Sequence, residues 1–196
     1  MDTEHRLFVG KSGKLKTDPR LPTLRLETDF KDLDLFRILV HETAHVIDAY
    51  NPRLFVRQPA LGSGDGFYDL SWHLVQGERP NGLKSSVGFP FELTGENFAA
   101  ADPTLSLDEV DAFYQGLYAS KLPSAYAATS PSEDFAESVA YQAIFSIPDV
   151  KYSVVTLSGR TFDLRDKITG ATFSEKRKFV EEAVLFGELD HKYKFN

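Results

Sequence analysis

His41-Glu42-Thr43-Ala44-His45 places two imidazoles four residues apart with a carboxylate between them. On a helix, positions i and i+4 lie about 40° apart around the axis, so both rings point the same way. Two imidazoles held like this can bind one Zn²⁺ at about 2.0–2.1 Å. Glu42 is rotated from His41 by about 100°, outside the ligand pair but within reach of a water at the metal. A Lewis acid beside a general base is the apparatus of hydrolysis. Asp48 follows His45 by three residues and His41 by seven. Those offsets keep it on the ligand face, where a carboxylate can accept an imidazole N–H and orient the ring.

The element that must carry these groups is a helix. Phe36, Leu39, Val40, Thr43, Val46, Ile47 and Tyr50 recur at helical spacing and predict a helix over 30–50 with one buried stripe. Thr28 and Asp29 are candidate caps, and Asp29, Asp32 and Asp34 put negative charge where the helix dipole favours it. Asn51-Pro52 stops the helix.

Two imidazoles need a third protein donor. The chain has no cysteine, which closes the thiolate route and with it disulfide scaffolds, cysteine nucleophiles and iron–sulfur centres. The long form HExxHxxGxxH is also excluded, because Asp48 stands at the glycine and Asn51 at the last histidine. Two candidates remain. Glu133, with Glu137 one turn later, opens a helix whose first residues are Ser130-Pro131-Ser132-Glu133. Glu133 is equally well read there as the capping-box partner of Ser130. Asp65 lies in Gly62-Ser63-Gly64-Asp65-Gly66-Phe67-Tyr68-Asp69, which is similar to the GTxDxxYG string of aspzincins, whose aspartate is the third ligand.

The blocks HETAHVIDAY and SAYAATSPSEDFAES together resemble the catalytic domain of anthrax lethal factor and the related Pro-Pro endopeptidases. Those zincin metallopeptidases share HExxHxxD, then a tyrosine seven residues before a glutamate, then ExxxE. The resemblance implies that His41, His45 and Glu133 bind one zinc ion per chain. It makes Glu42 the general base, Tyr126 a donor to the oxyanion, and Glu137 a support behind the ligands. Glu133 is preferred to Asp65 on that ground. The chain departs from the family in the longer interval between the two blocks.

The rest of the sequence sets the frame. At 196 residues and net charge −7, the chain is expected to form one domain over 1–196 and to be a poor binder of nucleic acid or anionic membranes. No apolar stretch approaches a membrane span, and Met1–Gly10 lacks a signal-peptide core. A secreted or translocated effector is favoured over a cytoplasmic enzyme. Residues 5–27 alternate as short strands around a turn at Gly10–Lys14. Residues 51–105 are rich in glycine, proline and aromatics, and are expected to form loops and short strands (RLFVR, VGFPFEL) lining the cleft. Helices are predicted from Ser106 to about Lys121, from Ser130 to about Ser146 and over 174–190, with a strand at 151–157. The expected fold is α+β and zincin-like: a small mixed sheet beside the HExxH helix, then a mostly helical C-terminal half. His73 is expected to be a partly buried structural residue, and His5 and His191 surface residues. Tyr68, Tyr114 and Tyr118 rival Tyr126 as phenol donors. The expected activity is zinc-dependent hydrolysis of peptide bonds in a protein or peptide substrate. The alternatives are an aspzincin-type peptidase using Asp65, a hydrolase of non-peptide amides, and a non-catalytic zinc-containing binding module.

Overall fold

The computed structural model describes residues 24–30, 32–50, 66–74, 83–85, 107–156 and 158–185. Strand β1 (Leu24–Thr28) leads through a short turn into helix α1 (Leu33–Tyr50), which carries the HExxH motif. A 3₁₀ turn (Phe67–Leu70) precedes a hairpin of β2 (Trp72–Leu74) and β3 (Leu83–Ser85). Helix α2 (Leu107–Ala119), a 3₁₀ turn (Tyr126–Thr129) and helix α3 (Pro131–Ser146) follow. The chain then forms β4 (Tyr152–Thr156), β5 (Thr161–Asp163), α4 (Leu164–Thr169) and α5 (Ser174–Val180), which runs on as a π-helical turn over Glu181–Leu185. No described helix is long and apolar enough to cross a membrane.

The architecture is mixed α and β, but the sheet corrects the expectation. All described strand pairings are antiparallel, in the orders β1-β4-β5 and β2-β3. The described part of the C-terminal half is mostly helical, as expected, and it also supplies two of the three strands of the larger sheet. A tight turn joins β4 to β5, and such a connection requires antiparallel strands. Gly159 sits in that turn at φ +86°, a conformation that favours glycine. Strand β5 has three residues, too few to show a period.

Helix α3 is the hub. Nearly every side chain from Asp134 to Phe145 is buried, and its contact with α1 is the most extensive between any two described elements. One side packs on the sheet, where Tyr152 and Val154 face inward and Tyr141 stacks on Tyr152 at 5.7 Å. The other side meets Phe67, whose ring lies 5.2 Å from that of Phe135. Ser130 caps the helix by accepting from the Glu133 amide at 3.2 Å, with Pro131 at the tolerated first position. At the other end the Arg165 guanidinium donates to the carbonyls of Phe145, Ile147 and Val150, where a cation also complements the helix dipole.

Asp134 and Lys176 form a wholly buried ion pair within α3's surroundings. Trp72 Nε1 also donates to Asp134 at 3.0 Å, and the Lys176 ammonium lies 4.9 Å from the Phe67 ring centre. Burial pushes Asp134 up and Lys176 down to about 8, against their mutual attraction. The pair ties the hairpin and α5 to the same turn of α3 that bears Glu133.

Helix α1 begins at Leu33, three residues later than the sequence suggested. Thr28 accepts from the Phe30 amide at 3.1 Å, but Asp29 accepts from the Lys151 amide at 2.9 Å and so anchors the start of β4 rather than the helix. The buried stripe differs in part: Phe36, Val40 and Ile47 pack against the core as expected. Leu39 and Val46 are exposed, at 60% and 58%. The buried positions are Leu33, Arg37, His41, Ala44 and Asp48. They recur just as regularly, but with polar groups among them, because the facing surface of α3 offers partners for those groups.

Candidate metal centre

The ligand face of α1 meets the first two turns of α3. His41 Nε2 and His45 Nε2 lie 3.0 Å apart. Glu133 Oε2 lies 3.0 Å from the first and 3.3 Å from the second. These three side chains can hold a metal ion. Ser130 satisfies the Glu133 amide, but the Glu133 carboxylate does not fold back to complete a capping box. It is turned toward the histidines instead. Its Oε2 is buried and has no hydrogen bond of good geometry among the described residues.

The outer nitrogens of both rings are occupied. His41 Nδ1 is 2.8 Å from Glu137 Oε1. Glu137 is fully buried, and its carboxyl is held below the usual range: burial raises it, but Arg37, His41 and Ser124 more than offset that. An ionised carboxylate only accepts, so Nδ1 donates, and in the neutral ring Nε2 carries a bare lone pair. On the other ring, His45 Nδ1 is 3.2 Å from Ser132 Oγ, whose hydroxyl donates to Asp48 Oδ2. Ser132 has given its proton away, so His45 Nδ1 donates to it and Nε2 is again bare. Three acceptor atoms thus converge on one point, an arrangement that could hold a cation.

Asp48 therefore acts on His45 through Ser132 and not directly, a correction to the sequence reading. The α3 backbone brings Ser132 between them. Asp48 also accepts from Tyr68 at 2.7 Å. Burial and that bond push the Tyr68 phenol well above its ordinary range, and its proton is committed to Asp48 rather than to the histidine cluster. Tyr114 is buried beside Phe113, and Tyr118 packs near Phe162.

Tyr126 stacks on His41, with ring centres 5.7 Å apart and planes 28° apart. Its hydroxyl is pushed up to about 12, first by burial, then by the charge of Glu133 and a hydrogen bond to it, and further by the charges of Glu137 and Glu42. Glu42 itself is exposed on α1. His41 is raised to about 9: burial lowers it, and the carboxylates of Glu133 and Glu137 outweigh that.

His73 is exposed on β2, opposite Lys84, rather than partly buried as expected, and is not part of the cluster. Asp65 falls outside the described residues, as do His5, His191, the Gly10–Lys14 turn and the predicted strands at 5–10, 53–57 and 87–93. The sequence reading missed Arg37, Ser124 and Ser132. Arg37 and Ser132 carried a usable signal, since Arg37 is four residues before His41 on the ligand face and Ser132 is next to Glu133. Ser124 carried none. In comparisons with known proteins, the chain matches no family model, no curated protein and no solved structure.

Proposed function

We propose that this chain is a zinc-dependent endopeptidase of zincin type, with His41, His45 and Glu133 as the ligands and Glu42 as the general base. The observation that carries the reading is the convergence of three oxygen and nitrogen donors whose outer partners leave their lone pairs facing one point. Zinc bound tetrahedrally at about 2.0–2.1 Å requires ligand atoms about 3.3–3.4 Å apart. The edges of 3.0, 3.0 and 3.3 Å are close to that, and the donor set suits zinc.

When bound, zinc supplies Lewis-acid polarisation and lowers the pKa of water toward ~7. Glu42 takes the proton of the attacking water and returns it to the amine as the C–N bond breaks. A base fits that role on an exposed position beside the cluster, where substrate and water have access. Tyr126 donates its hydroxyl to the oxyanion that develops on the scissile carbonyl. Its raised pKa keeps the phenol protonated, and therefore a donor, at neutral pH. A purely structural metal site would have no use for Glu42.

The test is metal analysis of the purified protein followed by cleavage of a proteome-derived peptide library. Stoichiometric zinc, with cleavage lost to a chelator and restored by zinc, supports the reading. Absence of both zinc and cleavage overturns it. Tyr126→Phe is expected to lower kcat by ~10²–10³ with zinc content unchanged. Steady-state kinetics within threefold of wild type would remove Tyr126 from the mechanism.

The apoprotein should show a distinct pH dependence. The folded pKa of His41 is raised from 6.5 to about 9. The stability it contributes is therefore full below pH 6.5 and is lost as pH rises through 9. Between pH 6.5 and 8 the loss is on the order of 1–2 kcal/mol. Above about 8, Lys176 acts in the opposite sense, because its folded pKa is lowered and stability rises with pH. Melting curves in chelator should therefore fall in Tm over pH 6.5–8, while zinc-loaded protein should not, since the ion replaces the proton. A flat apo profile would show that the carboxylates do not charge His41.

A further inference from the structure

Glu137 receives more than a ligand histidine. Its Oε1 accepts from Arg37 Nη1 at 2.8 Å as well as facing His41 Nδ1 at 2.8 Å, and its Oε2 accepts from Ser124 Oγ at 2.6 Å. Arg37 and His41 are i and i+4 on α1, so one carboxylate from α3 clamps two successive turns of the ligand helix. Ser124 Oγ in turn accepts from the Ala127 amide at 3.1 Å, inside the 3₁₀ turn that carries Tyr126. The carboxylate and the guanidinium are both buried, at 0% and 7% side-chain exposure.

Resting on the zinc-site reading above, we propose that Arg37 is a positioning residue of the metal centre: it anchors the Glu137 carboxylate in the one placement that orients His41 Nε2 toward the metal and seats the Tyr126 turn beside it. The physical reason is geometric. A carboxylate with a single imidazole partner can rotate about its side-chain bonds. A second donor on the same oxygen and a third on the other leave it one placement. Arg37 supplies the second donor, and its charge matches the carboxylate in a site that water does not reach. Partners beyond the ligands commonly change metal affinity by ~10–100-fold.

Three variants test this: Arg37→Met, Arg37→Lys, and Arg37→Met combined with Glu137→Gln. Zinc affinity is measured by competition with a chromophoric chelator, on protein shown by circular dichroism to be folded. The tautomer of His41 in the zinc-loaded state is read from ¹⁵N–¹H spectra of the imidazoles. Arg37→Met should weaken zinc binding by ~10–100-fold and shift the His41 Nδ1–H signal. Arg37→Lys, which keeps one donor and the charge, should recover most of the affinity. If Arg37→Met does not fold, the double variant, which removes both charges together, carries the test and should bind zinc at least tenfold more weakly. Folded Arg37→Met, or the double variant, with zinc affinity within threefold of wild type and an unmoved His41 signal overturns the proposal alone. Wild-type protein that binds no zinc overturns the site reading and this proposal together.

Discussion

Glu42→Gln is expected to lower kcat for peptide cleavage by ~10²–10⁴ while zinc remains stoichiometric. The side chain is exposed on α1, so its replacement by an isostere removes no packing. Surface changes of this kind usually shift stability by no more than about 0.5 kcal/mol, and Tm should not move. Glu42 lies close enough to Tyr126 for its charge to help raise that phenol, as the proposed pairing of base and oxyanion donor requires. Glutamine keeps the shape and loses only the ability to take a proton. The loss should therefore fall on kcat, with KM and metal content little changed. Equal cleavage by variant and wild type would sink the peptidase reading. Loss of zinc from the variant would instead move Glu42 into the ligand set.

The second large effect is expected from Glu133→Ala, which should weaken zinc binding by more than the ~10–100-fold that outer partners cost. The change is local, because the interaction that holds the helix start is the Ser130 hydroxyl on the Glu133 backbone amide, and alanine keeps that amide. What disappears is the buried Oε2 that faces both imidazoles. Two histidines on one helix are then left to hold the ion alone. Asp65→Ala is the comparison: on the present reading it keeps stoichiometric zinc. Retained zinc in Glu133→Ala, with zinc lost in Asp65→Ala, would replace the ligand set with the aspzincin type. Retained zinc in both would mean that the third donor is another group.

Much of the cluster was legible in the sequence because its parts are local. His41 and His45 share a face by helical geometry alone, and Asp48 joins them by the same count. Glu133 could be preferred to Asp65, and Tyr126 to its rivals, only by resemblance, since nothing in their spacing from residue 41 says that α3 crosses α1 at that turn. Part of the stripe of α1 was misread for a related reason, while Phe36, Val40 and Ile47 do pack on the core. Leu39 and Val46 are apolar and periodic, and periodicity does not reveal which of two regular faces is buried. The choice belongs to the partner helix, whose Glu137, Glu133 and Ser132 can satisfy polar groups that would otherwise be costly to bury.

Composition and local spacing by themselves determined that no thiol is available, that two imidazoles and a base lie on one helix, and that α3 starts at Ser130-Pro131. Only the tertiary structure decided where the carboxylates go. Glu133 leaves its cap to face the histidines, Glu137 is shared among Arg37, His41 and Ser124, and Asp48 reaches His45 through Ser132. Those are contacts between residues 84 to 100 positions apart for the α1–α3 pairs. Chain connectivity places no constraint on such pairs until packing brings the two helices together, and the buried charges then accept only arrangements in which each has a partner.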